Sequence, residues 1–86
     1  MYYDYLSEMK PFELFHERIL LSMECEQRMH IWDMATNEAD LEKAESAYYD
    51  TADALSHVCD EITARGLEHD YKLYKAVIYG MGWVNE

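Results

Sequence analysis

With 86 residues and a formal net charge of -11, the chain has room for one small domain with a thin core. The charge excludes nucleic-acid phosphates and anionic membranes as ordinary binding surfaces, because the net field repels both. Half of the residues are hydrophobic and 14% aromatic, with only three Gly and one Pro, a composition that folds rather than one that stays disordered.

Residues 1–10 form a tyrosine-rich arm. Tyr2, Tyr3, Tyr5, Leu6 and Met9 suit either a short helical turn or an extended segment laid on the body. No basic start followed by an apolar run appears there, so no secretory signal is read. The longest apolar run, residues 19–21, is far short of a membrane span. A cytoplasmic protein with no membrane partner is the expectation.

A first helix is predicted over 11–35, with Pro11 in its first turn, where a missing N–H costs nothing. Phe12, Phe15, Ile19, Met23, Gln27, Ile31 and Met34 recur every three to four residues. A second, weaker line follows Leu14, Leu21, Cys25, Arg28, Trp32 and Ala35. Two such lines mean that the helix packs against two elements or meets another molecule.

The second helix is predicted over 38–65. Asn37 stands as its cap with Asp40 three residues on, and Arg65-Gly66-Leu67 reads as its stop. Leu41, Tyr48, Leu55 and Ile62 fall seven apart and are taken as its buried seam, with Ala44, Ala52, Val58 and Cys59 between them. A shorter third helix is expected over 68–79, with Tyr71, Tyr74 and Ile78 on one face beside Leu67 and Met81. Gly80 and Gly82 would end it, and Trp83 and Val84 would dock the tail. The predicted fold is therefore all-α: one domain, residues 1–86, an antiparallel helical hairpin with a short third C-terminal helix. Helices about 36–42 Å long, at 1.5 Å per residue, leave apolar side surface that dimerisation would cover to complete a bundle.

Few groupings suggest chemistry. Glu13 and His16 have the spacing found in di-iron bundles, but such a site needs two of these motifs and two further Glu. Glu26, His30 and Asp33, and Asp53 and His57 with Asp60 or Glu61, lie one turn apart and read as local helix pairs rather than zinc ligands. Cys25 and Cys59 are read as free thiols whose acidic neighbours disfavour the thiolate. Ser56 and His57 are adjacent and face apart, and Gly80-Met81-Gly82 lacks the lysine and the preceding strand of a phosphate loop. The reading is no enzyme, no metal and no cofactor, with a small metal-binding bundle kept as a minor alternative.

The charge is uneven. Residues 36–61 hold eight acids and one base, Lys43, whereas residues 62–86 balance three against three. Glu42, Glu45, Tyr49, Asp53 and Asp60 follow one another at steps of three, four, four and seven, with Asp50 and Glu61 on the outward side. Like charges aligned without Lys partners four residues away cost helix stability, which suggests a use. These seven residues are the candidate partner-binding set. In physical type such a small, rigid, aromatic-rich acidic protein resembles the viral and mobile-element inhibitors that occupy DNA-binding clefts. That resemblance implies a basic protein target held by a DNA-mimicking helix face, with no direct contact to nucleic acid. The alternative is a structural or assembly subunit whose acids only keep it in solution.

Overall fold

The computed structural model describes residues 4–80. Among them stand a short 3-10 turn, Asp4–Glu8, and three α-helices: α1, Pro11–Met34; α2, Glu38–Ala64; and α3, Glu68–Gly80. The described residues contain no strand. The expected roles of Tyr2, Tyr3, Met81, Gly82, Trp83 and Val84 lie outside the described residues. No helix among the described residues is long and apolar enough to cross a membrane.

Local chemistry sets each boundary. Pro11 opens α1, and the Glu13 carboxylate reaches back to accept the Lys10 backbone N–H at 2.7 Å. This is one half of a capping box. At α2 the Asn37 side-chain oxygen accepts the Asp40 backbone N–H at 2.9 Å, while its amide donates to the Asp40 carboxylate at 2.8 Å. Asn37→Ala should therefore cost about 1 kcal/mol, seen as a lower urea midpoint at unchanged slope; an unaltered midpoint would show that the cap contributes nothing. α2 ends at Gly66, whose φ of 69° suits a residue without Cβ. Leu67 N–H bonds back to the Ile62 carbonyl and Gly66 N–H to that of Thr63, both at 3.0 Å, which is the double-bonded helix stop. The Thr63 hydroxyl then donates to Glu68 at 2.8 Å and ties the end of α2 to the start of α3.

The core gathers at one end of the hairpin. Leu6, Leu14, Phe15, Ile19, Val58, Ile62, Tyr71 and Ile78 are buried together. The Phe15 ring sits 5.8 Å from Tyr71 and 5.5 Å from Tyr74, and the Arg18 guanidinium lies 4.1 Å above the Tyr71 ring, a cation–π contact. The 3-10 turn closes this end: Leu6 is buried, and Arg65 donates to the backbone carbonyls of Leu6, Ser7 and Met9 at 2.7–3.0 Å. Toward the α1–α2 turn the molecule thins to two helices. Among the described residues between Met23 and Leu55, Ala44 and Thr51 are the buried ones. The whole spans 42 × 35 × 14 Å, a slab about one helix diameter thick.

Two expectations about packing are corrected. The seam of α2 holds at Ala44, Val58 and Ile62, which are buried, but Leu41 is exposed, Tyr48 and Leu55 are half-buried, and Thr51, absent from the expected seam, is buried in line with Ala44 and Val58. Small side chains let helix axes approach closely, so the nearest contact falls on Ala and Thr and the larger Leu and Tyr are turned to its flank. Thr51 tolerates burial because its hydroxyl donates to the Ala47 carbonyl at 3.0 Å. On α1 the ranking of the two lines reverses. The weaker line, Leu14 through Trp32 to Ala35, is buried or half-buried along its length. The stronger line is buried only at Phe15 and Ile19, while Phe12, Ile31 and Met34 stand exposed.

Candidate partner-binding face

The regular rise of α2 places Glu42, Glu45, Tyr49, Asp53 and Asp60 along one side, about 4.5, 6, 6 and 10.5 Å apart in sequence along the axis. All five are exposed, as is Asp50. No Lys or Arg of α2 lies on that line. Lys43 instead lines a hollow with Ala44, Ala47 and Arg28 on another side of the helix. Asp53 approaches the His57 imidazole, with Nε2 to Oδ1 at 3.6 Å.

Glu61 stands apart from the other six. It is half-buried, and its carboxylate accepts Arg65 Nε at 2.7 Å. That pairing aims the guanidinium at the N-terminal carbonyls, so Glu61 works in the fold rather than on the open face.

An aromatic group supports the middle of the acidic line. Trp32 of α1 lies 5.7 Å from the Tyr48 ring and 5.9 Å from Tyr49, and the two tyrosine rings are 5.6 Å apart. Tyr49 remains 56% exposed yet is held on two sides. An aromatic ring fixed at low entropic cost and flanked by acids is suited to receive a lysine or arginine side chain. Trp32 lies outside the seven-residue candidate set, and its place on the α2-facing line of α1, one turn before the turn residues, is what brings it to these rings.

The same half of the hairpin carries two neighbouring hollows elsewhere on its surface. One, about 550 Å³, is lined by Ile31, Met34, Ala44 and Ala47. The other, about 580 Å³, is lined by Leu20, Met23, Glu24 and Gln27, and Arg28 and Ile31 border both.

The groups weighed for chemistry are dispersed. Glu13 is engaged at the α1 cap. No three His, Cys, Asp or Glu side chains gather to hold a metal ion among the described residues. Burial pushes the Cys25 thiol up from its ordinary pKa, Glu24 pushes it further, and Arg28 opposes both. A thiol so placed is a poor nucleophile at neutral pH. No family model matches the chain, and no curated protein or solved structure is significantly similar to it.

Proposed function

We propose that the protein binds a basic protein target through the outer side of α2 and thereby blocks or regulates it. The observation that carries this reading is the exposed line Glu42, Glu45, Asp53 and Asp60 around Tyr49, on a helix whose one lysine points elsewhere. Complementary charge speeds encounter, and a rigid aromatic at the centre of an acidic rim slows release. Nucleic-acid-binding proteins carry the densest basic surfaces, and they are the target class that such a face fits best.

The test replaces Glu45, Tyr49 and Asp53 together by lysine. Immobilised wild type should retain a basic protein from cell extract at about 50 mM salt and release it as salt rises towards about 0.5 M, where screening acts within a few ångströms. The triple variant should retain none of it. Equal retention by both proteins would show that α2 is not the surface.

A second reading, an assembly subunit that works as a homodimer, is favoured by a different observation. Leu20, Ile31 and Met34 are 46%, 57% and 65% exposed at helical spacing on one side of α1, an apolar stretch of the kind that serves as an interaction surface.

A further inference from the structure

We infer that a second copy of this chain docks on the face formed by the two adjoining hollows, related by a two-fold axis that passes beside Arg28. The inference deepens the assembly reading and rests on it. It assigns the surface, the symmetry and the pair of charges that fixes the register.

The first ground is electrostatic. In a chain of net charge -11, two copies can approach only where their acids are few or balanced. The acidic side of α2 meets itself with four like charges. The hollows differ: Arg28 and Lys43 border them, against Glu24 and Asp40. Arg28 is already held by Glu24 at 2.9 Å, so it brings no bare charge to the centre.

The second ground is self-complementarity, which a two-fold interface demands. Arg28 and Ile31 line both hollows and so mark the middle of the face. Rotation about that point carries the hollow beside the α1–α2 turn onto the one farther along α1. Lys43 of each copy then faces Glu24 of the other, Met34 faces Leu20 and Met23, and Ile31 packs between Met23 and Gln27 of the other copy. Both charged contacts are of opposite sign and both apolar ends find apolar partners. The small Ala44 and Ala47 leave the depth into which a facing helix can settle.

Size is consistent with this occupant. From Leu20 to Met34 the face runs about 21 Å along α1 and is two helices, about 20 Å, wide. With side-chain relief that footprint reaches the lower range of stable interfaces, about 600 Å² on each partner. The two hairpins would form a four-helix bundle with the acidic line of each copy still open outward.

Sedimentation equilibrium of the whole chain, from about 1 to 200 µM, tests the proposal. Wild type should be a dimer at the upper end and dissociate on dilution. Ile31→Glu, at a site exposed in the single copy and so harmless to its fold, should weaken the dimer by at least about 100-fold with helical circular dichroism unchanged. Lys43→Glu should weaken it by about tenfold, and adding Glu24→Gln, which removes the carboxylate that the new glutamate would face, should restore part of the loss. A wild type that is monomeric at 200 µM would overturn the assembly reading and this inference together. A dimer that survives Ile31→Glu, or a Lys43 variant that Glu24→Gln does not rescue in part, would leave the assembly reading standing and overturn the surface or register assigned here.

Discussion

Ile62→Ala should lower the unfolding free energy by about 3–4 kcal/mol, whereas Leu41→Ala, on the same helix, should cost less than about 1 kcal/mol. Ile62 is fully buried, and the core around it includes Leu14, Phe15 and Val58. Deleting three carbons there removes transfer free energy and leaves a cavity that neighbours fixed on three helices cannot fill. Leu41 is 39% exposed in the first turn of α2, and its neighbours can relax into the space with water on one side. Total stability for a chain of this length is on the order of 4–13 kcal/mol, so the Ile62 variant should be partly unfolded in mild urea and the Leu41 variant nearly wild type. Urea melts followed at the helix band measure both. Equal costs would mean that the hairpin is held evenly along its length, contrary to the concentration of buried residues at one end.

Arg65→Ala should cost about 2–3 kcal/mol, the range for removing a partly buried charged donor with several partners. Four acceptors lose their donor at once: the Glu61 carboxylate and the carbonyls of Leu6, Ser7 and Met9. Release of the 3-10 turn would uncover Leu6 and Met9, which cover the core. Arg65→Lys should recover little, since an ammonium cannot span the same fork of acceptors. Limited proteolysis offers the separate reading: cleavage between residues 4 and 10 should appear in the Arg65 variant long before the helices are cut. Resistance equal to wild type would show that hydrophobic contacts alone hold the segment.

The helices were legible in the sequence because their ends are written in local chemistry. Asn37 with Asp40, Pro11, and Gly66 after Arg65 each act on backbone groups within a few positions, and no tertiary contact is needed to interpret them. The packing was less legible. A seven-residue spacing of Leu41, Tyr48, Leu55 and Ile62 looks like a seam because those side chains are large, yet of the four only Ile62 is fully buried, and the position missing from the pattern is Thr51, which hydropathy ranks low. The α1 stripe misled for a related reason: its periodicity drifts around the helix, so Phe15 and Ile19 enter the core while Ile31 and Met34 leave it. Arg65 read as a helix terminus, and its bonds to residues 6–9 join positions more than 50 apart that no local pattern links. On the acidic side, Glu42, Glu45, Asp50, Asp53 and Asp60 could be placed from helical spacing alone, but Glu61 could not be separated from them without its arginine.

The uneven core also divides the molecule into parts that open at different free energies. Backbone amides near residues 58–62 and 14–19 should be released only when the whole chain unfolds, since their helices share one buried cluster. Those around the α1–α2 turn, from about residue 28 to 48, are protected by a two-helix contact with little burial, and they can exchange through a local opening that leaves the cluster intact. The acidic line crosses this boundary, with Glu42 and Glu45 on the loose side and Asp60 on the firm one. A ligand that bridges both would lend the loose segment stability that the chain lacks by itself, so occupancy of the face and protection of the distal turn rise and fall together.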